Sequence, residues 1–305
     1  MLRNAGAGSK KELDVSKMIL INLNGGLGNQ LFQYALGRRL SYERNLPLRF
    51  DLSLLEASWS IRQFKLGYFQ TQGKPINEGE RKKFYRYQDL KVFTLLQNSL
   101  PYYRRRIVNE KSPMFDENIL RTPSKIFLQG YWQSYKYFTS IRDVLQKELR
   151  LNVTLDALNK DKLESIRNTS SVSIHIRRGD YVHNPETNKA HGVLPLEYYD
   201  RAIKMMKEKV TAPHFYVFSD DIPWVRENMR GLENAAFVDH NDPDQDYFDL
   251  ALMKECQFHI TANSSFSWWA AWLSGHENKI VIAPKKWYQT ERDTSDLCPE
   301  EWIRI

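Results

Sequence analysis

Alternation between strand-like and helix-like stretches in the second half of the sequence limits the fold more than any other feature. Strands are predicted where β-branched and aromatic residues cluster, at residues 172–176, 215–218, 236–238, 258–261 and 279–282. Helices are predicted between them, at 196–209, from Pro223, at 245–255, and over the aromatic residues after 267, with Gly275 as the expected C-terminal cap. This order indicates an α/β fold with a parallel sheet covered by helices on both faces. Ligands of such sheets bind beyond the carboxyl ends of the strands.

The first half of the sequence is less regular. A strand at 18–23, a glycine-rich loop at 24–29 and a helix at 30–44 again indicate α/β structure. Residues 50–125 are rich in aromatic and basic residues with weak periodicity, and loops and short helices lining a second substrate are one interpretation. We also predict a helix at 142–150 and a linker near 152–171, where Asn, Thr and Ser accumulate. Three segments follow: a loose arm at 1–17, a first domain at 18–165 and a second domain at 166–305.

Composition and charge narrow the class of protein. A chain of 305 residues with 42% hydrophobic residues suits two packed domains rather than disorder. Two cysteines without metal-ligand spacing, and no secretory or membrane-spanning stretch, predict a protein of a reducing cytoplasm. The net charge of +7 favours an anionic partner, but the basic runs at 81–83 and 104–106 are interpreted first as solvated faces. No RNP, zinc-finger or helix-turn-helix pattern supports binding of nucleic acid.

The sequence HIRRGD at residues 175–180 carries the strongest chemical signal. Arg177 and Arg178 end a predicted strand, and Gly179 permits close backbone approach. Guanidinium groups bond phosphate oxygens bidentately and stabilise the negative charge of a departing diphosphate. The alternative is a structural ion pair of Arg178 with Asp180 or Asp220, and we favour a structural role for one of the two arginines.

Two further clusters lie at predicted strand ends or helix starts. Asn263, Ser264 and Ser265 precede the aromatic helix, where serines cap free amides and the helix dipole attracts phosphate. Ser219 and Asp220 are suited to bonding a ribose hydroxyl, orienting an arginine or binding metal.

Acidic residues near the predicted helix at 245–255 suggest two different roles. Asp249 lies within that helix, and its carboxylate matches the N1–H and N2–H donors of guanine. Asp242-Pro-Asp244 invites comparison with metal-binding Asp-x-Asp motifs, but turn chemistry explains it better.

Together these stretches resemble the α-1,2-fucosyltransferases of glycosyltransferase family 11, in particular bacterial members without a membrane anchor. The resemblance covers roughly residues 18 to 285 and rests on four stretches: GGLGNQLFQY from Gly25, HIRRGDY from His175, SDD from Ser219, and Asp249 through NSSFSWW at 263–269. The HxRRxD-type motif is shared with α-1,6- and protein O-fucosyltransferases, and the glycine-rich stretch makes the match specific to the α-1,2 group.

The resemblance implies a GT-B architecture, in which two Rossmann-like domains face each other across a cleft and the second domain binds GDP-fucose. It implies inverting transfer of fucose to the 2-hydroxyl of a terminal β-galactoside in an oligosaccharide or lipid-linked glycan, with no cofactor or metal. The resemblance to members without a membrane anchor implies a cytoplasmic protein, and peripheral contact with the inner face of the membrane is an open alternative. Transfer to another acceptor, such as protein, and a non-catalytic sugar-nucleotide-binding protein are the rival interpretations.

Site roles are carried over by motif. The resemblance assigns Arg177 to the diphosphate, His175 to the nucleotide, and Arg178 with Ser219 and Asp220 to bracing the site. It assigns Asp249 to guanine, and Asn263, Ser264 and Ser265 to the diphosphate region. The cleft would be lined from the first domain by Gly26, Asn29 and Gln30. Asp180 is the candidate general base, with Glu186 and His191 as alternatives, and a purely structural role for Asp180 is equally open.

Overall fold

Two parallel β-sheets, one in each half of the chain, organise the molecule in a computed structural model that describes residues 17–86, 90–229, 232 and 234–305. The predicted arm at 1–17 lies outside the described residues except for Lys17. Over the described ranges, no helix is long and apolar enough to cross a lipid bilayer.

The first sheet has β1 at its centre, and every residue of that strand is buried. Its strands are β1 (Met18–Asn22), β2 (Leu48–Asp51), β3 (Lys74–Pro75), β4 (Ile107–Asn109) and β5 (Lys125–Gln129), in the order β3-β2-β1-β5-β4. Its helices are α1 (Leu27–Arg44), α2 (Glu78–Tyr85), α3 (Lys91–Ser99) and α4 (Arg142–Glu148). As expected from the sequence, the region between β2 and β5 consists of loops and short elements.

The second sheet is the larger one and confirms the predicted alternation. Its strands are β6 (Ser170–Ile176), β7 (Pro213–Ser219), β8 (Ala235–Val238), β9 (Phe258–Ile260), β10 (Val281–Ala283) and β11 (Ile303–Arg304), in the order β11-β10-β9-β6-β7-β8. Its helices are α5 (Ala157–Arg167), α6 (Gly179–His183), α7 (Pro185–His191), α8 (Leu196–Lys209), α9 (Ile222–Asn228), α10 (Asp246–Glu255) and α11 (Ser265–Leu273). Short 3-10 turns occur at Leu66–Tyr68, Tyr102–Arg104, Glu117–Arg121, Tyr135–Tyr137, Thr139–Ile141 and Pro243–Gln245.

Three local predictions were wrong. The predicted linker at 152–171 contains α5, which Asp156 caps by accepting from the Asn159 amide, and the start of β6. Most polar residues there are cap or exposed-face residues, and Asn159 and Ser171 are buried. Helix α1 begins three residues earlier than predicted, inside the glycine-rich stretch. Ser274 is the C-cap of α11, and Gly275 does not adopt the left-handed conformation expected of a glycine cap.

An aromatic cluster joins the two halves where α1 crosses α11. Phe32 of α1 packs 4.5 Å from Trp268 and 5.1 Å from Trp269, measured between ring centroids. Phe138, which precedes α4, stacks on Trp269 at 5.1 Å. These side chains are fully buried in one continuous core that contains residues of both sheets' layers. The two halves are therefore held by apolar burial and not only by the connecting chain.

Gly28 allows the first turn of α1 to touch the first turn of α11. A Cβ atom at Gly28 would lie 2.5 Å from both the amide nitrogen of Phe266 and the carbonyl carbon of Ser265. Backbone atoms cannot move aside as the end of a side chain can. Glycine in a helix interior lowers helix stability by about 1 kcal/mol relative to alanine, so its presence here indicates a packing requirement.

We expect Gly28→Ala to destabilise the protein by about 1–3 kcal/mol, because the added methyl group overpacks the α1–α11 contact by more than the gain in helix propensity. Gly37→Ala in the same helix is the matched control, since its Cβ would meet the end of the Leu48 side chain at 2.9 Å. That change should cost less than about 1 kcal/mol or stabilise the protein. Urea denaturation of both variants measures the difference, and equal midpoints would contradict this account of the joint.

Candidate active site

A cavity of about 1020 Å³ lies between the two sheets. It is at the upper end of the roughly 300–1,000 Å³ typical of small-molecule sites, which leaves room for more than one substrate. Strands β9, β6 and β7 are neighbours in the second sheet, so their carboxyl ends bring residues 261–265, 177–180 and 219–221 together. The predicted strand-end clusters therefore meet in one place.

Two carboxylates hold the Arg177 guanidinium at the cavity wall. Its Nη2 lies 2.6 Å from Asp180 Oδ1 and its Nη1 lies 2.9 Å from Asp220 Oδ2. Gly179 makes this possible, because a Cβ there would stand 2.4 Å from Asp220 Oδ2. The two ion pairs raise the pKa of Arg177 and oppose the effect of burial. The side chain retains 22% exposure toward the cavity, so it is fixed in orientation and still able to bind an anion.

Arg178 turns away from this cavity and takes the structural role. Its Nε bonds Asp221 Oδ2 at 3.0 Å, and its guanidinium stacks 3.5 Å from the Trp224 ring centroid. Its backbone N–H donates to Asp220 Oδ1 at 2.8 Å, which orients the same carboxylate that holds Arg177. Arg178 is not among the cavity-lining residues. The ion-pair partners expected for Arg178 were wrong, because Asp180 and Asp220 pair with Arg177 and the side chain of Arg178 pairs with Asp221.

Asp180 is bound on both oxygens. Its Oδ1 contacts Arg177, and its Oδ2 accepts from Nη2 of Arg62 at 2.6 Å. Arg62 comes from the loop after β2, so this ion pair crosses the cleft. A carboxylate held by two guanidiniums is poorly placed to accept a proton, and the geometry favours the structural alternative for Asp180.

The start of α11 forms part of the cavity wall. Ser264 caps the helix by accepting from the Phe266 N–H at 3.3 Å, and it is a cavity-lining residue. Ser265 donates its hydroxyl proton to Asn29 Oδ1 at 2.9 Å. Asn29 Oδ1 also accepts from Gln133, whose Oε1 accepts from Tyr288 at 2.9 Å. This chain of hydrogen bonds crosses the cleft, so the Ser265 hydroxyl joins the two halves.

The start of α1 forms the opposite wall. Gly25 has φ +78°, and Gly26 is the N-cap with no side-chain hydrogen bond, so the first amides of α1 have no side-chain acceptor. Gly26 and Asn29 line the cavity as predicted. Gln30 does not, because it is fully buried and its side-chain amide donates to the carbonyls of Gly25 and Gln63. Gln30 therefore shapes the loop from behind.

His175 and Asn263 are buried at the cavity's inner end. Burial, and then the charge of Arg177, lowers the pKa of His175 to about 3, so the imidazole is neutral at physiological pH. Its Nδ1 has no partner among the described residues. Asn263 Nδ2 donates to the carbonyls of His191 and Gly192 at 3.0 and 3.2 Å, and to Trp287 at 3.3 Å. Asn263 thus ties two cavity-lining loops together.

His191 was one of the alternatives for the general base, and it lines the cavity. Its ring stacks on Tyr181 with centroids 5.0 Å apart and planes 15° apart. Burial lowers the pKa of His191, while the charge of Asp180 raises it by a smaller amount. A neutral imidazole beside a carboxylate is suited to accepting a proton. Glu186 is exposed and does not line the cavity.

Asp249 also lines the cavity, with Asn241 as its hydrogen-bond partner. Asn241 Nδ2 donates to Asp249 Oδ1 at 2.7 Å and to Asn159 Oδ1 at 3.1 Å. Asn159 is fully buried and fixed in turn by the cap residue Asp156. Burial raises the pKa of Asp249 to about 7, although the Asn241 hydrogen bond opposes it. A ligand that donates hydrogen bonds to the carboxylate would restore its charge.

Asp242 and Asp244 belong to a turn, as the sequence interpretation favoured. Asp242 and Gln245 form a reciprocal capping box around the 3-10 turn. Across the described ranges no three His, Cys, Asp or Glu residues are grouped as metal ligands would be. The metal-free expectation is left to experiment.

Most of the predicted site residues line the cavity. They are Gly26, Asn29, His175, Arg177, Asp180, Ser219, Asp220, Asp249, Asn263, Ser264 and Ser265. Residues that the sequence analysis missed also line it, namely Arg62, Tyr131, Gln133, Tyr181, Asn241, Tyr288 and Arg292. Asn241 follows β8, so the strand-end rule offered a signal for it. Arg62, Gln133 and Arg292 lie in irregular segments with no such signal.

Comparison with known proteins agrees with this geometry. Residues 4–305 match the family described as Glycosyl transferase family 11. The Escherichia coli protein named Alpha-1,2-colitosyltransferase is 35% identical over 295 residues, covering 94% of this chain and 99% of the relative. Galactoside alpha-(1,2)-fucosyltransferase 2 of Bos taurus is 28% identical over 156 residues, which is 49% of this chain and 45% of that protein.

A solved structure is similar in fold. A mutant of Arabidopsis thaliana FUT1 in complex with GDP matches with a TM-score of 0.50 at 10% identity, covering 93% of this chain and 74% of that chain. Two parallel-sheet halves that face each other across a cleft constitute the GT-B architecture, and this expectation is confirmed.

Proposed function

This chain belongs to glycosyl transferase family 11, and we propose that it transfers L-fucose from GDP-fucose to the 2-hydroxyl of a terminal β-galactoside, with inversion at the anomeric carbon. The observation that carries the proposal is the convergence of Arg177, the α11 start and Asp249 on one cavity. Arginine and helix amides suit a diphosphate, and a buried carboxylate suits guanine. The name of the E. coli relative makes GDP-colitose, whose sugar is fucose without its 3-hydroxyl, the second candidate donor.

In the proposed reaction, the acceptor oxygen forms a bond to the anomeric carbon while the bond from that carbon to the diphosphate oxygen breaks. The electron pair leaves with GDP, and the negative charge grows on the diphosphate. Arg177 and the start of α11 stabilise this charge, and Arg177 is held in place before the reaction begins by Asp180 and Asp220. The acceptor proton passes to the His191 imidazole.

Asp180 supports the reaction as a positioning residue in this scheme. It fixes Arg177 for the diphosphate, and it fixes Arg62 across the cleft. The acceptor glycan, whether free or lipid-linked, is placed near Tyr131, Tyr288 and Arg292, the cavity residues that lie on the side of His191. Aromatic faces and an arginine suit a pyranose ring with several hydroxyl groups.

The function is tested by incubating the purified protein with GDP-fucose or GDP-colitose and a β-galactoside such as lactose. We expect GDP release and a 1,2-linked product identified by NMR, and activity that persists in EDTA. Arg177→Ala should lower kcat/KM by about 100-fold, the loss typical of removing one preorganised donor of positive charge. Loss of activity in EDTA with recovery in Mn²⁺ would contradict the metal-free scheme. If the protein binds GDP-fucose but transfers fucose neither to β-galactosides nor to protein acceptors, the rival interpretation of a non-catalytic sugar-nucleotide-binding protein is supported.

The pKa of Asp249 predicts how GDP affinity depends on pH. Guanine N–H groups bond only the ionised carboxylate, so binding lowers a pKa that is about 7 in the free protein. The affinity should therefore be constant well above pH 7 and fall by up to about tenfold per unit below it. Calorimetry measures the affinity, with ADP as the control for titration of the phosphates. The Asp249→Asn variant should bind GDP more weakly than the wild type does, and its GDP affinity should depend on pH in the same way as its ADP affinity. An unchanged GDP affinity would remove Asp249 from the guanine site.

The identity of the base is tested with saturating donor, which holds Asp249 ionised. In the wild type, kcat should rise with pH through the lowered pKa of His191. His191→Gln should lower kcat by at least about 100-fold and abolish this rise, with little change in donor KM. Glu186→Gln is the control and should leave both quantities unchanged. If the rise persists in His191→Gln and disappears in Asp180→Asn, Asp180 is the base.

A further inference from the structure

Helix α3 presents an apolar face to solvent, the reverse of what a surface helix normally does. Val92, Leu95 and Leu96 are 68%, 70% and 61% exposed, and no residue of α3 is buried. These positions lie on one face by their i, i+3 and i+4 spacing. Leu90 and Leu100 extend the patch at its two ends, with exposures of 56% and 37%. We call these five residues the α3 patch.

The opposite side of α3 attaches it to the body of the protein. Phe93 lies 5.4 Å from the Arg106 guanidinium, measured to the ring centroid, and Gln97 Oε1 accepts from the Arg106 N–H at 2.6 Å. Arg105 donates to the carbonyls of Leu100 and Asn98, both at 3.1 Å, which fixes the C-terminal end of α3. The outward position of the α3 patch is therefore set by contacts on the inner side of the helix.

Basic residues flank the α3 patch in sequence. Residues 90–109, between Asp89 and Glu110, contain Lys91, Arg104, Arg105 and Arg106 and no Asp or Glu. Lys91 and Arg104 are exposed. Tyr102 and Tyr103 follow the patch and are half-buried, and tyrosine is common where protein meets a membrane interface. A basic rim around an aliphatic face matches an anionic lipid surface, whose headgroups are negative and whose interior is apolar.

We propose that the α3 patch and its basic rim dock this protein on an anionic lipid bilayer. The aliphatic side chains enter the boundary between headgroups and acyl chains, and the Lys and Arg side chains contact lipid phosphates. A symmetric dimer through the same face would bring the basic rims of two copies together, which opposes that occupant. Nucleic acid would contact the Lys and Arg side chains but leave the leucines exposed to solvent, because proteins recognise nucleic acid through polar and aromatic contacts.

Docking is measured by co-sedimentation with vesicles of phosphatidylcholine alone and of phosphatidylcholine with phosphatidylglycerol. We expect binding to the anionic vesicles, weaker binding at high salt, and little binding to the neutral ones. Replacing both leucines (Leu95→Glu with Leu96→Glu) should lower the partition coefficient by at least about tenfold. Leu158→Glu, at a position 61% exposed on α5, is the matched control and should bind as the wild type does.

A second measurement separates loss of docking from misfolding. Cys256 and Cys298 are buried, so a Leu96→Cys variant can be labelled selectively with an environment-sensitive fluorophore. Its emission should shift to the blue on anionic vesicles, and GDP affinity should match the wild type because α3 does not line the cavity. The proposal would be overturned by equal binding to both vesicle types or by an unchanged emission. It would also be overturned if light scattering showed that the wild type is a dimer and that the double leucine variant is a monomer. Each of these outcomes leaves the transferase assay unaffected, so failure of docking is distinct from failure of the proposed function.

Discussion

The contact between the first turns of α1 and α11 is the constraint on which the site depends. At Gly28 the backbones of the two halves approach so closely that a methyl group has no space. The aromatic cluster of Phe32, Phe138 and Trp269 sits directly behind this contact and holds it by burial. Because both helix starts face the cavity, the same contact that joins the halves also sets the distance between the two walls of the site.

Charge in the ion-pair network around Arg177 is balanced before any ligand enters. Arg177 and Arg62 carry two positive charges, and Asp180 and Asp220 carry two negative charges, linked by three ion pairs. Such a network gains little net stability from pairing, since the cost of desolvating the charges offsets most of the attraction. Its value is orientation, because a guanidinium fixed at both ends needs no reorganisation when negative charge develops beside it.

Much of the second half could be predicted from sequence, because the relevant signals are local. Strand ends in a parallel sheet must meet at one edge, so finding β6, β7 and β9 was enough to bring Arg177, Asp220 and Ser264 together. The role of Gly28 could not be predicted in the same way. A glycine-rich loop before a helix suggested that a ligand approaches the backbone closely, but the group that approaches Gly28 is the backbone of α11. Arg62 has no local signal at all, because its partner Asp180 is 118 residues away.

The close fit at Gly28 limits how this protein can be recombined with its relatives. A chimera joined in the stretch before α5 takes α1 from one parent and α11 from the other, although the break lies far from both helices in sequence. Such a hybrid has to reproduce the backbone approach, the Phe32–Trp268 ring contact and the Asn29–Ser265 hydrogen bond between surfaces that were not selected together. Exchange of the irregular segment between β2 and β5 keeps these three contacts within one parent, but it also replaces Arg62 and therefore has to reproduce its ion pair with Asp180 across the cleft.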